Sequence, residues 1–307
     1  MTGARQPIAA VVLAAGEGTR LRPLTATVPK ALCPVGNVPL LDLAIERLAG
    51  LGFTGTDRLA VNACYLRDQV VAHLRGRAHP SVEPGRPLGT AGGVGNLRGW
   101  IDGRGVLVGN VDAYLWSPHL PPGADLAAML DGWDGRTVRL LGVPARDGQA
   151  AEFGRHRFAG FSLLPWADVA TIAAEPGNLV RTTWRPAARA GRLTVVEYQG
   201  RYLDTGTPAD YLAANLHAAS VRGGCVIAPD ATVTGPVRAA VIGAGATVAG
   251  SVTRCVVWPG ASVGAHEHLV DAVRVGEDLT VPAAGSTMDQ IQAGADPGPA
   301  RPTGAPR

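Results

Sequence analysis

The residues best suited to chemistry gather in one stretch, Gly16-Glu17-Gly18-Thr19-Arg20, with Arg22 and Lys30 close behind. Glycines let backbone N–H groups approach a ligand closely. The fixed cations that follow suit an anion with several oxygens, such as the phosphate chain of a nucleotide. Lys30 is also distinctive by composition, because the chain has 28 Lys and Arg residues and position 30 holds its single lysine. So lysine-averse a composition points to a need for a compact ammonium on a flexible stem, where a planar guanidinium does not fit. The plainer account is a lysine that fell by chance on a solvated face. Asp112 lies just past Gly105–Asn110, an apolar run that reads as a strand. Ligands of open α/β sheets bind at the carboxyl edge of the strands. A carboxylate there, facing a triphosphate, is a natural Mg²⁺ ligand, with phosphates and waters completing the octahedron. Taken alone, an Asp that merely starts a turn is the commoner case.

The elements that must position these groups follow from periodicity. Residues 8–15 form an apolar run long enough for one buried strand of a parallel sheet. Residues 39–51 carry the apolar stripe of a core-facing helix, with Asn37 as its cap and Gly50 or Gly52 at its end. A strand over 58–64 and a helix over 66–74 continue an alternation that implies a parallel sheet covered on both faces. A second glycine-rich turn, within 83–94, opens a helix running to about Trp100 and could set backbone N–H and C=O groups against a flat ring. Beyond it the pattern predicts a helical patch over 125–133, strands over 137–143 and 157–164, a helix over 178–190, a strand over 193–198 and a helix over 209–219.

A dinucleotide fingerprint wants a third glycine where Leu21 stands, which lowers the dehydrogenase reading. The whole string G-E-G-T-R-L-R-P-L-T, followed by Pro29-Lys30 and Pro34, instead resembles the signature of the sugar-1-phosphate nucleotidyltransferases, which make NDP-sugars. L-G-T-A-G at 88–92 resembles their nucleobase-contacting segment, and the preceding Glu83-Pro84 looks most like the mannose-1-phosphate guanylyltransferase branch. Residues 201–208, R-Y-L-D-T-G-T-P, resemble the family's W-x-D-x-G-T-P element, and Phe158-Ala159-Gly160 its sugar-side strand.

The resemblance implies an α/β fold: a Rossmann-like, mostly parallel-sheet nucleotidyltransferase domain followed by a short left-handed parallel β-helix. It implies nucleotide contacts from Leu13, Ala14, Ala15, Gly16, Gly18, Thr19 and Arg20 on one loop, and from Leu88, Gly89, Thr90, Ala91 and Gly92 on the other. Arg20, Lys30 and Asp112 become the catalytic set, Asn110 and Gly160 the sugar contacts, and Asp112 with Asp204 the ligands of Mg²⁺. Without it, Asp204 reads as a helix N-terminal cap. The substrates implied are a nucleoside triphosphate and a sugar 1-phosphate, with GTP and mannose 1-phosphate preferred and UTP or dTTP with another sugar left open. One departure stands out. Relatives usually carry a longer excursion between the strands at 137–143 and 157–164, often with a Glu-Lys-Pro lysine that holds the sugar phosphate. Here the connection is short and lysine-free, leaving Arg146, Arg155 or Arg157 as substitutes. A non-catalytic sensor that retains the loops is the alternative from another class.

From 226 onward the period changes to fifteen: Ile227, Ile242 and Val257 correspond, as do Ala231, Ala246 and Ala261, and Val233, Val248 and Val263. Small residues alternating with Val suit a parallel β-helix in which each coil stacks on its neighbour, and the units resemble hexapeptide repeats. His266 and His268 suit a rim position better than an acyltransferase site. The expected division is a nucleotidyltransferase domain over 1–222, the β-helix over 223–282 and a disordered, Gly/Pro-rich tail over 283–307. Hexapeptide stacks often associate, so a homo-oligomer through this unit is left open. The formal charge of +3 is too small and dispersed to argue for nucleic acid. No run reaches the length of a membrane span, and the four cysteines show no disulfide or metal spacing. A cytoplasmic protein with reduced thiols is the expectation.

Overall fold

The computed structural model describes residues 7–146 and 148–283. The main elements of the first part are β1 (Ile8–Leu13), α1 (Leu40–Gly50), β2 (Leu59–Ala63), α2 (Arg67–Leu74), β3 (His79–Val82), α3 (Gly89–Asn96), β4 (Gly105–Asn110), β5 (Ala113–Trp116), β6 (Val138–Pro144), β7 (His156–Leu164), β8 (Leu193–Glu197), β9 (Arg201–Asp204) and α4 (Pro208–Ser220). Seven of the strands make one sheet in the order β8-β6-β7-β4-β1-β2-β3. β3, β2, β1 and β4 run parallel, while β7 lies antiparallel between β4 and β6. Val11 and Val12 in β1 and Val106 and Leu107 in β4 are buried, as a strand covered on both faces requires. The parallel run brings the carboxyl ends of β1, β3 and β4 to one edge of the sheet. The loops after them open there.

Several sequence expectations need correcting. Asn37 does not cap α1, whose N-cap is Pro39. It sits at φ 66 in the tight turn between two short strands, and its side-chain amide donates to the Ile242 carbonyl at 2.8 Å. Gly52, at φ +85, takes the left-handed position just past the helix, where a glycine carries no Cβ penalty. β3, β5 and β9 were not anticipated as strands. Each is short, and β5 and β9 form a separate antiparallel pair outside the main sheet. Residues 178–190 are not one regular helix, because a π-helical stretch (Val180–Trp184) precedes the short α-helix Arg185–Arg189.

Beyond α4 the chain forms short parallel strands stacked at the expected register. Val226 pairs with Val241 and Val241 with Val256, while Thr232 pairs with Thr247 and Thr247 with Ser262. Val248, Val263, Ala246 and Ala261 are buried within the stack. The last long strand, His268–Val275, is closed by an antiparallel return, Leu279–Pro282, after which the buried Ala283 donates its N–H to the Asp271 carbonyl. The remainder of the expected tail, 284–307, lies outside the described residues. His268 is exposed, with Nδ1 2.7 Å from the Ser251 hydroxyl. Cys33 and Cys255 are buried and all four cysteines are unpaired, with burial pushing the Cys33 thiol up to about 12.

α4 ties this stack to the first part. Its Tyr211 hydroxyl donates to the Pro34 carbonyl and accepts from Trp258 Nε1 at 3.1 Å, and Asn215 Oδ1 accepts from Gly36 N at 3.0 Å. A single buried cluster runs from Val12 through Tyr211 to Val273. On the other side of α4, His217 packs edge-on against Trp116, with Nδ1 3.0 Å from the Tyr114 hydroxyl. Burial, assisted by the Arg201 charge, lowers its pKa to about 4. A depressed histidine must take up a proton on unfolding, so the stability it contributes is present above pH 6.5 and lost as pH falls toward 4. Chemical denaturation should therefore show a loss of about 2 kcal/mol between pH 7 and 5 from this group. The His217→Phe variant should have a flatter profile over that interval; an equally steep one would remove His217 from the account.

Candidate active site

Lys30 begins a short 3-10 turn (Lys30–Leu32) after Pro29, and only 8% of the residue is exposed. Its Nζ lies 2.6 Å from Asp112 Oδ2. Asp112 comes directly after β4 and before β5, and its main-chain carbonyl accepts from both the N–H and the hydroxyl of Thr205, at 3.1 and 3.0 Å. Asp204, the last residue of β9, pairs in register with Ala113. Two acidic residues far apart in the chain thereby become neighbours across an antiparallel ladder. The Arg20 guanidinium stands 3.7 Å from Asp204. Arg20, Lys30, Asp112 and Asp204 thus form one cluster, two cations around two carboxylates.

Asp204 is the least satisfied member. Burial and the neighbouring Asp112 raise its pKa, against the pull of Lys30 and Arg20. Its Oδ1 is buried without a hydrogen-bond partner among the described residues. A buried carboxylate oxygen left unmade is unfavourable unless something else completes it. Hard oxygen donors from two carboxylates fit a small divalent cation such as Mg²⁺.

The first glycine loop folds over this cluster. Gly18 sits at φ +63, and a Cβ there would lie 3.0 Å from Thr25 Cγ2 and 3.2 Å from Lys30 Cβ. The buried Thr25 donates its hydroxyl to the Gly18 carbonyl at 2.8 Å, a contact that nothing in the local pattern announces. Gly16, by contrast, faces open space and is exposed, as are Thr19 and Arg20. Leu13 and Asn110 end their strands side by side in register, and Ala14 and Ala15 are buried just beyond.

The second loop, Leu88 to Gly92, has a structural reason for its glycines. A Cβ on Gly89 would lie 2.4 Å from the Gly177 carbonyl, and one on Gly92 would lie 2.2 Å from that of Glu175. Ala91 N–H donates to the Gly177 carbonyl at 3.2 Å, and the Thr90 hydroxyl accepts from Leu179 N at 2.9 Å. The loop is therefore held from behind by 175–179. Gly160 behaves similarly. At φ +83, its Cβ would lie 2.2 Å from Ala113 Cβ, so close approach of β5 demands the glycine.

Sequence reasoning missed the link between the two loops. Asn62 in β2 accepts from Ala14 N at 2.6 Å and donates to Glu83 Oε1 at 2.7 Å. Glu83 Oε2 accepts from Leu88 N at 2.7 Å. Glu83 is fully buried, and burial raises its pKa despite these bonds. The one available signal was a polar Asn inside an otherwise apolar strand. Of the three candidate arginines, Arg155 is engaged by Glu197 at 3.0 Å, and Arg146 lies near Arg201. Arg157 donates to Gln149 Oε1 at 3.2 Å, and the partly buried Tyr202 phenol has its pKa raised by burial and by the neighbouring Asp204 and Asp112.

Residues 9–115 match the Nucleotidyl transferase family. The chain is 38% identical over 237 residues to an N-acetylmuramate alpha-1-phosphate uridylyltransferase of Neisseria meningitidis serogroup B, covering 64% of this chain and 93% of that one. It is 30% identical over 251 residues to a mannose-1-phosphate guanyltransferase of Aspergillus fumigatus, covering 72% and 68%. In three dimensions it resembles a UDP-glucose pyrophosphorylase from Acinetobacter baumanii, with a TM-score of 0.58 at 16% identity, over 71% of this chain and 95% of that chain. No helix among the described residues is long and apolar enough to cross a membrane.

A raised folded-state pKa means that ionised Asp204 opposes folding, with stability present at low pH and lost as pH rises through the raised value. The Asp204→Asn variant should accordingly melt at the same temperature as the wild type at pH 8, or higher. Thermal denaturation checks this; a clearly lower Tm would show the carboxylate serving the fold instead of a ligand.

Proposed function

The chain belongs to the sugar-1-phosphate nucleotidyltransferase family, and from that premise we propose that it condenses a nucleoside triphosphate with a sugar 1-phosphate to give an NDP-sugar and pyrophosphate. The observation that carries the reading is the convergence of Lys30, Asp112, Asp204 and Arg20 at the mouth of the first glycine loop. A sugar-phosphate oxygen attacks the α-phosphorus in line with departing pyrophosphate, so the enzyme has mainly to position the reactants and neutralise charge. The amides of residues 16–19 and the Arg20 guanidinium hold the β- and γ-phosphates. Lys30 neutralises the charge that grows on the α-phosphate. Asp112 and Asp204 would hold Mg²⁺, which when bound shields the triphosphate and polarises its oxygens. No general base is required, because a sugar phosphate is already ionised at neutral pH.

Main-chain groups of Leu88 to Gly92 take the base, and Asn110 and Gly160 border the sugar. Arg146, Arg155 and Arg157 remain the candidates for the sugar phosphate, and Arg155 is already paired with Glu197. Relatives bearing both guanyl- and uridylyltransferase names leave the base to experiment. GTP with mannose 1-phosphate is our preference, resting on Glu83-Pro84 ahead of the L-G-T-A-G segment. We further read residues 223–282 as a separate, short left-handed β-helix of hexapeptide repeats.

The test is pyrophosphate release with Mg²⁺ across a matrix of four NTPs and several sugar 1-phosphates. One pair should turn over well above the rest; release from none, with nucleotide binding intact, would turn the reading toward a sensor. Lys30→Ala should lower kcat by ~10²–10³, the scale of a lost transition-state donor. Full activity in that variant would remove Lys30 from the chemistry. Asp112→Asn should raise the Mg²⁺ concentration needed for half-maximal rate, and an unchanged metal titration would count against the assigned ligands.

A further inference from the structure

We propose that Asn62 and Glu83 form a hydrogen-bond relay of fixed polarity that sets the two nucleotide loops relative to each other, which makes both of them positioning residues. The inference rests on the reading above that these loops hold the nucleotide. Its first end is Ala14 N–H, which opens the phosphate-side loop; its second is Leu88 N–H, which opens the base-side loop. Between them stand only two side chains, Asn62 at 2% exposure and Glu83 at 0%.

The two ends are main-chain donors, and neither can be reversed. An amide side chain accepts on one side and donates on the other, so it passes the polarity along. Two terminal donors therefore demand one group in the chain that accepts on both sides, and a carboxylate is the side chain that does so. This accounts for a fully buried acid whose hydrogen-bond partners are an amide and a backbone N–H, in a place where an unpaired charge is expensive. α3 is shaped to the relay. A Cβ on Gly93 would stand 2.6 Å from Asn62 Nδ2 and 2.9 Å from Glu83 Oε1. The spacing between phosphate loop and base loop, which has to match one nucleotide, is thus set by three short hydrogen bonds in series.

Polarity gives a test that shape alone would not pass. Glu83→Gln is isosteric, yet it places a donor against either Leu88 N–H or the Asn62 amide. Adding Asn62→Asp moves the double acceptor one position along the relay. The new carboxylate accepts from Ala14 N–H and from the new amide, whose oxygen accepts from Leu88 N–H. Steady-state kinetics and residue-resolved amide hydrogen exchange on the full chain read the outcome. Glu83→Gln should raise the NTP KM by about tenfold or more, the scale of one buried hydrogen bond left unmade. The sugar-phosphate KM should stay within about twofold, and discrimination among the four NTPs should shrink. Exchange at the Ala14 and Leu88 amides should accelerate. The double variant should regain NTP KM and both protections to within about threefold of wild type.

A double variant as impaired as the single one, folded or not, overturns the relay. So does a Glu83→Gln variant with wild-type KM and protection, or one that loses only thermal stability. Should the wild type transfer no nucleotide, the functional reading falls, while protection of the two amides in the double variant still decides the relay.

Discussion

The cluster of Arg20, Lys30, Asp112 and Asp204 depends on one backbone ladder. β5 and β9 are four residues each and lie outside the main sheet, yet their antiparallel register fixes Ala113 opposite Asp204. Thr205 then closes onto the Asp112 carbonyl with two hydrogen bonds. A slip of one residue would turn every side chain of the pair to the opposite face. Asp112 and Asp204 would then no longer share a site. The close approach of β7, permitted by the bare Cα of Gly160 against Ala113, clamps the same ladder from below.

That ladder creates an electrostatic problem as it solves a geometric one. Two carboxylates brought together in a half-buried site repel, and that repulsion adds to burial in raising the pKa of Asp204. Lys30 offsets it at Asp112 by direct contact, whereas Arg20 stands farther from Asp204 and is largely exposed. The cluster is thus paired on the Asp112 side and incomplete on the other, where a buried Oδ1 has no hydrogen-bond partner among the described residues. Such an imbalance suits a site that completes itself with a cation and an anionic substrate. It also accounts for Lys30 as the only lysine of the chain, since a compact ammonium reaches one carboxylate oxygen without covering the space beside it.

Local pattern carried the parts of this arrangement that are local. The strand Gly105–Asn110, the helix leading to Leu74 and the fifteen-residue register of the stack lie where periodicity puts them, because each buries a continuous apolar face. The glycine loop and Lys30 were legible from residue type. β5 and β9 were not, since four-residue strands off the sheet bury too little to impose an alternation. The glycines of 88–92 were legible as a loop, but their cause is contact with 175–179, which sequence spacing cannot express. Asn62 lies in β2 and Glu83 directly after β3, and the parallel pairing of β2 with β3 brings them together. Asn37 misled for a related reason: its residue type suits a cap, but the tight turn before α1 needs a residue that tolerates positive φ.

The C-terminal stack enters the same chain of dependence through α4. That helix begins four residues after Asp204, with Thr207 as its N-cap accepting from Asp210 N. The segment between them is pinned at Gly206, where a Cβ would lie 2.6 Å from an Arg20 nitrogen. The far face of α4 is locked by Tyr211, which joins the Pro34 carbonyl to Trp258 of the stack. Asn37 adds a second tie, from the turn after Cys33 to Ile242. Lys30 therefore reaches the stack through the short hairpin at 34–39, and Asp204 reaches it through α4. The stack acts as a rigid back plate to the ammonium and the carboxylate at once. Packed cores deform little, so the separation of those two groups is held from behind by residues that touch neither.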